Sequence, residues 1–142
     1  MRRLLLATLL LAMACGDTLP QHERIEMQGD TLRIPLDRVA DGGVHFYSLI
    51  SHGKRINFLV RSDASGTLHA HLDACYACYH YRRGFVVEET AIVCRACRYV
   101  YDLRQSEWNY IGACAPITMP SSIRAGELRI RRRAFERAER YF

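Results

Sequence analysis

The chain has 142 residues, with no apolar run long enough to settle across a bilayer, no glycine-rich phosphate loop after a strand and no serine nucleophile motif. Hydrolase chemistry therefore has no residues to start from, and no motif places His45 and Asp73 as acid and base. No internal repeat covers the whole chain; the only repetition is local, in C-Y-A-C and C-R-A-C. A groove-reading motif is also missing, and the basic surplus is not read as a nucleic-acid interface.

What is present begins with MRRLLLATLLLAMAC, two arginines and then an unbroken apolar run from Leu4 to Ala14. That length suits the h-region of a signal peptide, here residues 1–14. Leu11-Ala12-Met13-Ala14-Cys15 sets small residues before a cysteine and resembles the lipobox of bacterial lipoproteins, which implies lipidation of Cys15. Arg2-Arg3 leaves a twin-arginine signal open, which would export folded, metal-loaded protein; the leucine-rich core fits the unfolded route better. Residues 15–30 then form the lipidated N-terminus and a polar tether. Residues 31–142 form one domain, in an exported protein anchored to the cell-envelope membrane at its periplasmic or outer face. Cleavage before Cys15 leaves 128 residues, the size of one domain with one core. The formal charge of +5 is concentrated at the C-terminus, where residues 121–142 hold seven arginines against three glutamates. Such a stripe suits a solvated face, or contact with anionic lipid or an acidic partner.

From Thr31 the pattern is mostly strand. TLRIPL, VHFYSLI, RINFLV and TLHAHLD are short extended runs separated by glycine turns. In the last, Leu68, Ala70 and Leu72 share one face, while Thr67, His69, His71 and Asp73 share a polar face expected to be exposed. FVVE, AIVC, YVYDL and ELRIRRR add shorter strands, a loop is expected from Arg104 to Pro120, and AFERAERYF suits one or two helical turns. The fold expected is mostly β, a small antiparallel sandwich or barrel with two Cys-x-x-Cys metal loops.

With Cys15 assigned to lipid, five cysteines remain: Cys75, Cys78, Cys94, Cys97 and Cys114. The first four form C-x2-C-x15-C-x2-C, a strong four-thiolate pattern, since each C-x-x-C loop points two sulfurs at one centre. The set suits an iron–sulfur cluster, or alternatively Zn or Cu. Exported cysteines are often disulfides, yet a C-x-x-C ring restrains little of the unfolded chain. Thiol–disulfide exchange normally needs a helix N-terminus to activate a thiol, and YHYRRG after Cys78 is not a helix pattern. Cys78-Tyr79-His80 leaves His80 open as a ligand in place of Cys75. His69 and His71, two apart on a strand, could bind a metal; His22, His45 and His52 have no evident partner. The aromatics crowding the cysteine segments suit a water-excluding wall around a centre.

The run from Leu32 to Pro120 resembles the bacterial membrane iron–sulfur family related to FtrD, a component of ferrous-iron transporters. The resemblance is carried by Asp73, Cys75, Cys78 and Tyr79; by Gly84-Phe85; by Val93, Cys94, Arg95 and Cys97; and by Gly112, Cys114 and Pro116. Ala113 and Ala115 depart from the residues usual there. Long members of that family carry transmembrane helices ahead of this domain, and lipidation of Cys15 would replace that attachment here at lower anchoring strength. The resemblance implies an electron relay, more a redox carrier than an enzyme, beside an iron permease or another redox protein. It also implies a site role for Cys114, as fifth ligand, exchanging spare or lid. More loosely, two ligand loops, the Gly-aromatic pair and a late proline loop are similar to Rieske domains. Thiolates in place of the Rieske imidazoles imply a lower reduction potential.

Overall fold

In the computed structural model, which describes residues 19–108 and 114–142, the alternating runs become strands. They are β1 (Glu23–Arg24), β2 (Thr31–Pro35), β3 (Val44–Ser51), β4 (Lys54–Ser62), β5 (Leu68–Cys75) and β6 (Phe85–Glu88). β7 (Ala91–Cys94), β8 (Val100–Asp102), β9 (Pro116–Met119), β10 (Ser122–Arg124), β11 (Glu127–Arg131) and helix α1 (Arg132–Ala138) complete the set. The protein is mostly β, as the patterning requires. The strands form three sheets, a central one in the order β1-β3-β4-β5-β9 and two three-stranded ones, β10-β11-β2 and β6-β7-β8. All pairings are antiparallel except β1 with β3. Among the described residues no sheet closes on itself, so the barrel alternative does not hold.

The period of two along the central strands feeds a core on each face of the central sheet. Tyr47, Leu49, Phe58, Val60, Leu68, Ala70 and Leu72 point to one side and pack with Leu32, Ile34, Leu128, Ile130 and Phe135. Their neighbours Phe46 and Leu59 point to the other and pack with Cys75, Phe85, Ile92, Cys94, Tyr101 and Trp108. This second core corrects the reading of TLHAHLD. Its polar face is covered by the small sheet and the segment that follows it: His71 and Asp73 are buried and His69 is half-buried. His71 stacks on Trp108 at 4.6 Å between ring centroids. His69 Nε2 donates to Asp63 Oδ2 at 2.9 Å. The sequence pattern could not reveal this cover, because it comes from later strands and from Trp108, outside the run itself.

Two further segments differ from expectation. The stretch read as a tether contributes β1, and beyond it Ile25 and Met27 pack on the first core. The loop expected from Arg104 to Pro120 contains β9, which pairs with β5 through Ala70–Met119 and Cys75–Pro116, with an irregular register between His71 and Cys75. An irregularity of this kind bends a strand end, here the end that carries Cys75. Arg61, buried in β4, is a residue that sequence reading missed. It lies 4.0 Å above the Trp108 ring and donates to the carbonyls of Leu103, Gln105 and Ser106, fixing the chain just past β8.

Burial, with Arg61 and His69 adding to it, pushes the His71 pKa down from 6.5 to about 3. The folded protein therefore holds this imidazole neutral while the unfolded chain binds a proton below about pH 6.5, so the unfolded state binds more protons across this window. Stability is expected to fall steadily as pH drops from about 6.5 towards 3, read as the urea midpoint. His71→Phe, which keeps a ring against Trp108, is expected to flatten that slope; an unchanged slope would assign the acid sensitivity elsewhere.

Candidate metal centre

Each cysteine pair begins at a strand end. Cys75 closes β5, and the chain turns at once, with the Cys78 N–H on the Cys75 carbonyl at 3.0 Å. One turn of 3-10 helix, Tyr79–Tyr81, and a left-handed Arg82 (φ 53°) then bring the chain back to Gly84. Cys94 closes β7, the Arg98 N–H returns to its carbonyl at 2.8 Å, and Arg98 is left-handed as well (φ 63°). The loops meet because Phe85 pairs directly with Cys94 and the Arg95 N–H donates to the Gly84 carbonyl at 3.0 Å. The exit of the first loop is thus bonded to the entrance of the second.

Asp73 fixes that exit. Its Oδ1 accepts the Phe85 N–H at 2.7 Å and its Oδ2 accepts His22 Nε2 at 2.8 Å. The carboxylate lies against the bare α-carbon of Gly84 (φ +64°), where a Cβ would stand 2.5 Å from Oδ2. Gly84 is needed for both reasons, the left-handed backbone and the close approach.

The outcome is that the sulfurs of Cys75, Cys78, Cys94 and Cys97 lie within 4.8 Å of one another. Cys75 and Cys94 are buried, Cys78 is half-buried and Cys97 is exposed, and all four thiols are free. Cys114, half-buried, directs its thiol to Cys97 Sγ at 3.8 Å. A tetrahedral ion with metal–sulfur bonds of about 2.3 Å needs sulfurs about 3.8 Å apart, so the four side chains need only small rotations to enclose one. A cluster of several irons sets thiolates on different irons farther apart, which requires the pairs to separate. Of the histidines, His80 is exposed and stacks on Tyr81 at 4.1 Å, outside the four-sulfur group. His45 and His52 are tied to Asp41 and Glu139. His22 serves the centre through Asp73. Cys15 and Gly112 lie outside the described residues.

The electrostatics are compatible with a cation at this point. Burial pushes the Cys78 thiol far above its usual range, helped by the hydrogen bond with Cys97 and by the charges of Cys94 and Cys75. Burial raises Cys94 too, against the backbone N–H groups of Cys97 and Ala96. Burial and the bond to Cys97 push Cys114 up to about 11. At Cys97 burial likewise opposes ionisation, but the Tyr99 N–H and the side chains of Cys94, Cys114 and Cys78 outweigh it and the pKa falls. Sulfurs this close resist ionising together, and a bound metal removes that penalty. The Tyr101 hydroxyl, buried beside Cys75 and Cys94, has no hydrogen-bond partner among the described residues. An ionised sulfur is the kind of acceptor it lacks.

Gly84→Ala is expected to cost the protein most of its bound metal, measured per chain after gel filtration. Gly66→Ala is the control, because Gly66 shares a positive φ (+83°) but faces open space. Equal metal loss in both would trace the effect to backbone strain and not to the Asp73 contact.

Residues 39–142 match the family model described as membrane iron-sulfur containing protein FtrD-like. No curated protein sequence matches the chain. Among the described residues no helix is long and apolar enough to cross a membrane. With the match covering well over half of its length, the chain belongs to the FtrD-like family of membrane iron–sulfur proteins.

Proposed function

We propose that this protein is a lipid-anchored redox carrier at the cell-envelope membrane, passing electrons in the course of iron uptake through a thiolate-held iron centre. The observation that carries the reading is the convergence of four cysteine sulfurs within 4.8 Å in a member of an iron–sulfur family. Iron held by thiolates supplies one-electron exchange. Cys75, Cys78, Cys94 and Cys97 would hold it. Phe85, Tyr101 and Trp108 would keep water from its inner side, and the exposed Cys97 gives a partner a short approach. Cys114, beside Cys97, is suited to act as an exchanging spare ligand. Lipidation at Cys15 would supply the anchor, and an iron permease or another redox protein the partner.

The closeness of the four sulfurs favours one specific alternative, a single tetrahedral zinc or copper ion held structurally or for transfer. Elemental and acid-labile sulfide analysis of protein extracted without oxygen from its native membrane decides between them. Iron is expected, accompanied by sulfide for a cluster and without it for a single-iron site. Zinc or copper alone would replace the electron relay with the structural or carrier role. An absence of metal, with the thiols paired, would leave thiol–disulfide exchange.

A further inference from the structure

A cleft of about 570 Å³ opens onto the sulfur group, with Cys75, Cys78 and Cys94 in its lining. Its walls bring together Lys54, Arg55, Arg82, Arg83 and Arg95, which come from β4 and both cysteine loops, against one acid, Asp73. Asp73 is already engaged by His22 and the Phe85 N–H. Lys54 and Arg95 donate to the backbone carbonyls of Glu139 and Arg83, and Lys54 also lies close enough to the Glu139 carboxylate to help lower its pKa. The guanidinium groups of Arg55, Arg82 and Arg83 make no hydrogen bond or ion pair among the described residues. Four thiolates around a divalent ion carry two net negative charges, and the cleft remains positive after these are counted. Its size is that of a small-molecule site. Guanidinium groups recognise carboxylates through paired hydrogen bonds. Asn57 is also in the lining, its buried Oδ1 without a donor among the described residues, and a ligand hydroxyl would supply one.

We propose that this cleft binds a small hydroxyl-bearing polycarboxylate, free or carrying a metal ion, with its carboxylates on Arg55, Arg82 and Arg83 and its hydroxyl on Asn57, directly beside the thiolate centre. The inference rests on the metal-centre reading for its role, since a metal carried by the anion would lie next to the centre, but not for the binding itself. Titration calorimetry on the full metal-loaded protein in detergent, with citrate, tricarballylate and inorganic phosphate, tests it. Citrate is expected to saturate one site and to weaken with added salt. Tricarballylate, which lacks the hydroxyl, is expected to bind several-fold less tightly, and phosphate at least tenfold less. Arg55→Gln combined with Arg83→Gln, both exposed positions, is expected to weaken citrate at least tenfold without changing metal per chain. No saturable citrate binding, binding indifferent to the double substitution, or phosphate binding as tightly as citrate would overturn the proposal. Tricarballylate equal to citrate would overturn the part given to Asn57. Metal content measured on the same samples keeps a failure of the metal-centre reading separate from a failure here.

Discussion

A single carboxylate sets the geometry of the cysteine centre. Asp73 sits in the sheet that forms the body of the protein, yet the backbone it holds belongs to the strand that starts the small sheet. With Phe85 fixed on Asp73, β6 can pair with β7 only in the register that sets Phe85 against Cys94. A buried carboxylate needs its lone pairs satisfied, so the same group draws in the N-terminal segment through His22. A slip of one residue at Gly84 would turn Phe85 out of the aromatic core and carry the second cysteine pair with it.

The grouping of the four sulfurs was readable from sequence because most of its information is local. C-x-x-C spacing and the short segment between the pairs bring the sulfurs near one another, and Asp73 fixes how they meet. The same holds for β2 to β8, whose apolar alternation is read within each strand. What escaped was decided by distant neighbours. His71 looks like a solvent-facing residue until Trp108 is laid on it, and Pro116–Met119 looks like loop until the bent end of β5 offers it an edge. Arg61 carried no signal at all, because its role is to satisfy carbonyls 42 to 45 positions later in the chain. Asp73 and Gly84 were visible as motif residues, but the reason for each is the other.

Charge is arranged around the centre in two zones. On the inner side aromatic rings from both cysteine-bearing segments leave the sulfurs little water, which raises the cost of ionising them. On the outer side Arg82, Arg83 and Arg95 line the cleft beside Cys75, Cys78 and Cys94. Cys97 lies at the boundary. It is exposed, its ionisation is favoured, and it is the thiol that a second cysteine approaches. The inner sulfurs are thus shielded while one at the edge stays open to exchange.

The first cysteine pair is rooted in the broad central sheet and the second in a sheet of strands only three or four residues long. Strands that short cohere weakly by themselves. An ion gripped by both pairs is therefore a rivet between a rigid plate and a slight one. Loss of such an ion would loosen the small sheet more than the central one, because its short strands have less of their own pairing to hold them.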